Sequence, residues 1–561
     1  MARRTKKQDL DPDEIFLDSS NLPSFDEDQF EGRLEKPISK SSILIASSFF
    51  IFVALVFVAR IWDLQIIRGV ALRERSNTNS LKHIPVATDR GIIFDRNGEK
   101  LAWNEPDGRK YTGFQGLAHV LGYLGYPTES EIESSGFTNP KDMIGKDGVE
   151  KKWDTWLRGK DGTRIVEVDA VGDVISESIF EPGIKGGDIT LSVDAKISNK
   201  MAETIRGLSA EKGFAGGAGV IMDARSGEIL AFASYPEYDG TILSAGKETK
   251  KILGMFNDAR KPFLNRIVSG LYIPGSVIKP TFALGALNEK IISWQKEIVS
   301  TGSISVPNPN FPDKPSVFKD WKAHGAVNMK KALAVSSDVY FYTIGGGYGG
   351  QKGLGIANLD KYARLFGYGE KTGIDIGNEE IGNIPTPEWK AENFNGENWT
   401  IGNTYHSVIG QYGFQVTPLQ VVRAIAGVAS EGRLVQPTIL KISVNSNTPE
   451  GGSESLRKYI DIPNEYFKIV KEGMRMSVTE GTGSGLYFPN LKVATKTGTA
   501  EVGVLKKYVN SWVAGFFPYD DPKYAFTVVM EKGPVENTVG GVYVMRQVLD
   551  WMTENTPDDL R

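Results

Sequence analysis

An uninterrupted apolar run near the N-terminus, residues 41–59, contains no charged side chain. About 20 such residues in a helix span the hydrocarbon core of a bilayer. The run continues through Arg60 and Trp62 into an amphipathic stretch and does not end in the small-residue cleavage site of a signal peptide. The pattern therefore predicts a single retained transmembrane helix over residues 41–60.

Residues 1–40 are rich in Asp and Glu between positions 9 and 31, which predicts a disordered tail. Basic residues favour the cytoplasmic side of a membrane. Those that precede the apolar run are Arg3, Arg4, Lys6, Lys7, Arg33, Lys36 and Lys40. We therefore expect a cytoplasmic tail, a membrane anchor and an extracytoplasmic chain after residue 60.

Short elements separated by turns follow the apolar run. Residues 89–102 predict a strand and an Asn-Gly turn, and residues 164–168 and 188–193 predict further strands. We interpret residues 61–190 as a mostly β, non-catalytic support domain.

From residue 191 onward the elements become longer. Residues 195–208 predict a helix, and residues 219–234 predict a hairpin of two buried strands. Near the C-terminus, residues 491–502, 508–517 and 525–531 predict three strands of an antiparallel meander. Strands at both ends with helices between them predict one antiparallel sheet flanked by helices, so the fold class is α+β.

Composition narrows the possible functions. The 561 residues, 40% of them apolar, can bury two or three domain cores, and a net charge of −4 gives no reason to expect nucleic acid as a partner. The absence of cysteine excludes disulfides, thiol nucleophiles and thiolate metal sites. None of the four histidines lies in a serine-hydrolase motif, so a Ser-His-Asp enzyme is not expected.

Two further patterns in the sequence could indicate a site for a cofactor or a metal ion. The glycines between residues 345 and 355 lack the Lys-Ser ending of a phosphate-binding loop, so we predict no cofactor. Asp313, Asp320 and His324 are close enough in sequence to suggest a metal site, but their spacing is irregular. We interpret them as loop residues and predict no metal.

The first candidate for chemistry is Ser276, which follows a Pro-Gly break and opens an apolar run with Lys279 three positions later. On a helix these two residues share a face, so a neutral lysine could reach the hydroxyl and take its proton. The pattern Ser-x-x-Lys is weak by itself. It also begins at residues that do not open an apolar helix after such a break: Ser209, Ser244, Ser293, Ser316 and Ser455.

Two more motifs follow in order, Ser336-Ser337-Asp338 and then Lys496-Thr497-Gly498 on a predicted strand. A second Lys-Thr-Gly at Lys371 has no strand meander behind it. The order Ser-x-x-Lys, Ser-x-Asp or Asn, Lys-Thr-Gly resembles the penicillin-binding proteins and serine β-lactamases.

The resemblance extends over nearly everything from residue 41 onward, and its other segments are similar to the monofunctional, class B penicillin-binding proteins. These segments are residues 90–98, 262–266, 407–413 and 416–420. Asp338, together with residues 319–322 and 386–390, most resembles the penicillin-binding protein 2 branch, which serves cell elongation. Between Asn104 and Tyr111 the chain is far shorter than the family pattern, which has an extended head region there.

The resemblance implies a catalytic role for each motif residue. Ser276 would attack the penultimate D-alanine carbonyl of a peptidoglycan stem peptide, with Lys279 as the base, and form an acyl-enzyme. Ser336 would relay the proton to the leaving amine, and Asp338 would orient Lys279. Lys496 would help to keep Lys279 neutral and attract the substrate carboxylate.

The same resemblance implies a substrate-binding strand. The hydroxyls of Thr497 and Thr499 would bind the substrate carboxylate, and Gly498 would let the peptide backbone approach the strand edge. The backbone N–H groups of Ser276 and Thr499 would form the oxyanion hole.

The implied function is that of a penicillin-binding D,D-transpeptidase of cell elongation and shape maintenance, with a dimerisation-type pedestal over residues 61–190 and a transpeptidase domain over residues 191–561. The implied partners are stem peptides, β-lactams, a SEDS-family, RodA-like glycan polymerase and other membrane proteins of the elongation complex. A D,D-carboxypeptidase or a septal transpeptidase is the alternative among enzymes. Outside enzymes, the alternative is a β-lactam sensor or an inactive scaffold.

Overall fold

The structure is a computed structural model, and it describes residues 39–86, 88–135, 142–168, 173–308, 311, 313–442, 458–503 and 507–560. The chain divides into two compact units. One contains residues up to Ile84 together with Arg164–Ser178, and the other contains Pro85–Thr163 and Ile179–Arg561.

The strands of the described residues are numbered in chain order. They are β1 Leu81–Val86, β2 Ile93–Phe94, β3 Lys100–Glu105, β4 Gly108–Tyr111, β5 Leu124–Gly125, β6 Ile144–Gly145, β7 Gly162–Val168, β8 Val174–Glu181, β9 Ile189–Thr190, β10 Gly216–Asp223, β11 Ile229–Tyr235, β12 Ile298–Ser300, β13 Ser303–Val306, β14 Ser316–Lys319, β15 Gly325–Val327, β16 Arg433–Leu434, β17 Lys458–Tyr459, β18 Ala494–Val502, β19 Tyr508–Phe517 and β20 Tyr524–Pro534.

The α-helices are numbered in the same way. They are α1 Lys40–Trp62, α2 Gly69–Ser80, α3 Ala118–Leu121, α4 Glu129–Ser135, α5 Gly148–Lys152, α6 Asp154–Arg158, α7 Ala195–Lys212, α8 Gly240–Ala245, α9 Thr249–Asn257, α10 Lys279–Asn288, α11 Met329–Val335, α12 Asp338–Gly346, α13 Gly355–Leu365, α14 Pro387–Asn393, α15 Ile401–Val408, α16 Pro418–Ala429, α17 Asn464–Glu480 and α18 Gly541–Asn555.

Helix α1 carries the apolar run. Ser39 caps it by accepting a hydrogen bond from the N–H of Ser42, and none of its residues is buried. The helical stretch Lys40–Ile67, which ends in a π-helical segment, is long and apolar enough to cross a membrane. The predicted span over residues 41–60 lies inside this stretch.

The second unit is built around a five-stranded antiparallel sheet in the order β11-β10-β20-β19-β18. Strands β10 and β11 come from the start of the predicted transpeptidase domain and the other three from its end. The prediction of a sheet closed by both ends of the domain is therefore confirmed, with the first late strand beginning at Ala494 rather than at residue 491.

Helices cover both faces of this sheet because its strands are apolar on both faces. Ile221, Val513 and Val528 pack with the buried side chains of α7 and α18. Their chain neighbours point to the opposite face, where Val220 and Val529 pack in the larger core that includes Phe282 of α10. This alternation follows from the two-residue period of a strand.

The preceding part of this unit contains a smaller sheet in the order β4-β3-β2-β9. Strand β2 pairs in parallel with β9, and a two-residue turn, Pro106-Asp107, joins β3 directly to β4. The chain between Asn104 and Tyr111 is thus a tight hairpin.

Four charged side chains of this part of the chain contact one another. Arg90 contacts Glu150 at 2.6 Å and Asp154 at 2.9 Å, and Arg109 contacts Glu150 at 2.8 Å. Glu150 is completely buried. We call these residues the pedestal ion cluster.

Candidate active site

Ser276 lies in a single 3-10 turn, Gly275–Ile278, that leads directly into α10. Gly275 has a φ of 56°, and its N–H donates to the carbonyl of Gly410 at 3.0 Å. This left-handed conformation suits glycine and bends the chain at the Pro-Gly break. Ser276 remains partly exposed, whereas Lys279 is completely buried.

The Lys279 amine is held by the second motif. Its Nζ donates to Asp338 Oδ1 at 2.6 Å, to the carbonyl of Ser336 at 2.9 Å and to Ser336 Oγ at 3.4 Å. Among the described residues, no hydrogen bond joins it to the hydroxyl of Ser276. Asp338 thus lies where it could orient Lys279, and this role stays a prediction.

Residues 336–338 form a tight corner between α11 and α12. Ser336 ends α11 with a φ of 60°, and Ser337 caps α12 by accepting a hydrogen bond from the N–H of Tyr340 at 3.3 Å. Asp338 is the first residue of α12. The corner directs both Ser336 and Asp338 toward Lys279.

Lys496 reaches the same place from β18. Its Nζ is 2.8 Å from Ser336 Oγ and donates to the carbonyl of Thr497 at 2.8 Å. Burial, and then the nearby charge of Lys279, lower the pKa of Lys496 well below its usual value, and the attraction of Asp338 only partly opposes them. Lys496 therefore releases its proton more readily than an ordinary lysine does.

The sequence-based expectation, in which Lys496 helps to keep Lys279 neutral, stays a prediction. Of the two lysines, only Lys279 contacts the carboxylate of Asp338 among the described residues. We call Lys279, Ser336, Asp338 and Lys496 the catalytic ion cluster.

Gly498 has a packing role that the sequence did not indicate. A Cβ at this position would lie 3.1 Å from the carbonyl oxygen of Pro274 and 3.2 Å from the backbone nitrogen of Val277. The glycine thus allows the turn that carries Ser276 to approach β18 closely.

Strand β18 is an edge strand of the sheet. Among the described residues, it pairs with β19 alone. Its other edge is available for an extended peptide. The hydroxyl of Thr497 is 2.6 Å from that of Thr482, so Thr482 fixes the position of a predicted substrate-binding group.

Two cavities meet at Ser276. The first, about 440 Å³, is lined by Ser336 and by side chains of β18 and β19, and we call it the strand cavity. The second, about 640 Å³, is lined by the aromatic residues Phe318, Trp321, Tyr342 and Tyr412, and we call it the aromatic cavity. Both volumes are typical of ligand sites.

The cavities contain residues that motif reasoning missed. Their linings share Ser276, Trp321, Asp338 and Thr499. Trp321 belongs to a segment that resembles the family, and Thr482 belongs to no motif. Neither residue lies within a motif, so the sequence around it does not indicate that it lines a cavity beside Ser276.

The candidate metal residues do not converge. Asp320 Oδ1 lies 3.5 Å from His324 Nε2, while Asp313 is exposed. No group of three or more His, Asp or Glu side chains suited to a metal ion is found in the described part of the chain.

The family model for the penicillin binding protein transpeptidase domain matches residues 217–547, which is more than half of the chain. The chain belongs to the penicillin-binding protein transpeptidase family. A second model, the penicillin-binding protein dimerisation domain, matches residues 107–191.

Individual relatives of this penicillin-binding protein agree with the models. It is 32% identical to the peptidoglycan D,D-transpeptidase MrdA of Acinetobacter baumannii, over 74% of this chain and 62% of that relative. It is 27% identical to MrdA of Escherichia coli strain K12, over 88% of this chain and 91% of that relative. A solved complex of penicillin-binding protein 2 and MreC from Helicobacter pylori matches with a TM-score of 0.72 and 27% identity, over 85% of this chain and all of that one.

These similarities confirm the expected class. The protein is a class B penicillin-binding protein of the penicillin-binding protein 2 type, with a dimerisation domain before its transpeptidase domain. The domain limits at residues 60 and 190 and the roles of individual site residues stay predictions.

Proposed function

We propose that this penicillin-binding protein is a peptidoglycan D,D-transpeptidase of cell elongation that works through an acyl-enzyme on Ser276. The observation that carries the proposal is the convergence of three distant motifs beside this serine. Lys279, Ser336, Asp338 and Lys496 are linked by contacts of 2.6–3.4 Å, although up to 217 residues separate them in the chain.

In the proposed acylation, Ser276 Oγ forms a bond to the penultimate D-alanine carbonyl carbon, and the bond from that carbon to the terminal D-alanine nitrogen breaks. The N–H groups of Ser276 and Thr499 would stabilise the oxyanion. The serine proton passes to Lys279, and Ser336 delivers a proton to the leaving amine. An amine of a second stem peptide then attacks the ester and completes the cross-link.

Lys279 can act as a base only after losing its own proton. Ser336 Oγ lies 3.4 Å from Lys279 Nζ and 2.8 Å from Lys496 Nζ. In the proposed relay, a proton leaving Lys279 through this hydroxyl would pass to Lys496 in its neutral form. The substrate carboxylate, bound near Lys496 and Thr497, would favour the charged form of Lys496 and so drive the transfer.

The anchor and its orientation are part of the proposal. Helix α1 would cross the cytoplasmic membrane once. The basic residues before it support a cytoplasmic N-terminus and an extracytoplasmic catalytic domain.

We also propose partners in the elongation machinery. The similarity to a penicillin-binding protein 2 solved with MreC supports an MreC-like partner, and the class supports a RodA-like glycan polymerase. Because β3 and β4 are joined by a two-residue turn, an MreC-like partner would bind this chain without contacts to an extended head at that point.

The test is covalent labelling of the full-length protein in detergent with a fluorescent penicillin, followed by peptide mapping. We expect the label on Ser276 and none on the folded Ser276→Ala variant, while Ser316→Ala, at another Ser-x-x-Lys position, labels like the wild type. Donor and acceptor stem peptides then distinguish a cross-linked product from the hydrolysis product of a carboxypeptidase. A folded wild type that takes no label would instead support an inactive scaffold.

A further inference from the structure

We infer that Asp320 is a positioning residue for catalysis, because it holds the corner 336–338 in the conformation that places Ser336 and Asp338 on Lys279. The inference rests on the proposed function, since the corner matters to the reaction only if Ser276 is acylated. Asp320 belongs to none of the three motifs.

The Asp320 carboxylate is a buried acceptor for several donors. Its Oδ2 accepts the hydroxyl of Ser337 at 2.8 Å, the N–H of Val339 at 3.0 Å and the hydroxyl of Ser300 at 3.2 Å. The side chain is completely shielded from solvent. Two of these donors belong to the first turn of α12 or its cap, so the carboxylate is attached to the helix that begins with Asp338.

The contacts favour a charged carboxylate. Burial alone would raise the pKa of Asp320, but the N–H groups of Val339 and Asp338, the hydroxyl of Ser337 and the charge of Lys279 hold it below its usual value. An anion at this position also stabilises the N-terminus of α12, where free N–H groups and the helix dipole favour negative charge.

Ser337 transmits the effect to the catalytic ion cluster. Its hydroxyl donates to Asp320 and accepts from the N–H of Tyr340, so it is fixed on both sides. The residues on either side of it in the chain are Ser336 and Asp338, which both contact Lys279. A rotation at Ser337 would displace both partners of the lysine.

Trp321, which follows Asp320, holds the α11 side of the corner. The indole N–H of Trp321 donates to the carbonyl of Val335 at 3.2 Å, at the end of α11. The backbone of this segment is itself held, because the N–H of Asp320 donates to the carbonyl of Gly302 at 2.9 Å. Residues 320 and 321 therefore hold both helices that meet at Ser336.

The experiment measures acylation of the full-length protein by a fluorescent penicillin, resolved into the maximal acylation rate constant and the half-saturating penicillin concentration. We expect Asp320→Ala to lower the rate constant about 30- to 100-fold and to change half-saturation less than about threefold, because a misplacement near 1 Å costs about that much in rate. Asp313→Ala, which removes an exposed carboxylate nearby, is the matched control and should behave like the wild type.

Two milder variants keep the test decisive if Asp320→Ala does not fold. Asp320→Asn and Ser337→Ala should each show the same pattern with a smaller loss of rate. The inference is overturned if folded variants acylate at the wild-type rate, or if the loss appears in half-saturation instead. A wild type that fails to acylate at all would refute the proposed function rather than the role of Asp320.

Discussion

Two buried groups of charged side chains in the same unit differ in their balance of charge. The pedestal ion cluster contains two arginines and two carboxylates, Glu150 and Asp154. The catalytic ion cluster contains two lysines and one carboxylate, Asp338. Each arginine of the first cluster contacts a carboxylate, whereas in the second only Lys279 does, and Lys496 contacts none among the described residues.

The pKa values follow this difference. Burial would lower the pKa of Arg90, but Glu150 and Asp154 together hold it above its usual value. Burial and the charge of Lys279 lower the pKa of Lys496, and Asp338 only partly opposes them. We expect the pedestal ion cluster to stabilise the fold, whereas the lowered pKa of Lys496 would suit it to exchange a proton in the proposed reaction. The use of lysine suits this purpose, since arginine does not release its proton in proteins.

Removing a charge from the pedestal ion cluster should produce the largest loss in the free energy of unfolding. Glu150→Gln would leave Arg109 without its carboxylate partner and Arg90 with only Asp154, and we expect a loss of about 3–5 kcal/mol in the free energy of unfolding. Urea denaturation followed by tryptophan fluorescence measures this loss. The folded fraction should still be acylated at the wild-type rate, because the cluster takes no part in the reaction.

A matched control comes from an exposed ion pair. Arg164 and Glu177 are 2.8 Å apart, but both side chains are well exposed. Glu177→Gln should therefore change the free energy of unfolding by less than about 1 kcal/mol. A similar loss in both variants would show that burial and balance do not set the strength of the pedestal ion cluster.

Removing a charged group from the catalytic ion cluster should change the free energy of unfolding less, and in the opposite direction. Lys496 binds its proton less tightly in the folded state than in the unfolded state, so the wild type gains stability as the pH rises from its folded pKa toward the usual lysine value. The steepest possible slope is about 1.4 kcal/mol per pH unit. Lys496→Met removes this slope, and we expect it to be more stable than the wild type at pH 7 by about 1–3 kcal/mol while losing acylation.

Urea denaturation between pH 6 and pH 10 measures the difference, which should shrink as the pH rises toward the usual lysine pKa. Lys492→Met is the control, because Lys492 is exposed and pairs with Asp520. Parallel pH profiles for the wild type and Lys496→Met would contradict an unbalanced catalytic ion cluster.

The sequence predicted the parts of this fold that depend on local pattern. The apolar run, the closing of the sheet by β10 and β20, and the order of the three motifs all follow from periodicity and spacing. Family resemblance then indicated the class and the candidate site residues.

The sequence did not predict features that depend on contacts between distant segments. From the sequence, Asp320 stands out only as a weak candidate for a metal ligand. Its contact with Ser337, 17 residues later, cannot be predicted from spacing. Gly498 was expected to admit the substrate, and its contact with the turn at Pro274 depends on packing across 224 residues. The choice of Lys279 rather than Lys496 as the partner of Asp338 is also a tertiary feature.

The most direct test of the account is the titration of the two buried lysines. The full-length protein with ¹³C at lysine Cε, compared with Lys496→Met, identifies the Lys496 resonance in an NMR spectrum recorded against pH. The account predicts that this lysine loses its proton well below the usual value of about 10.4. A Lys496 that keeps its proton up to the usual range would contradict it.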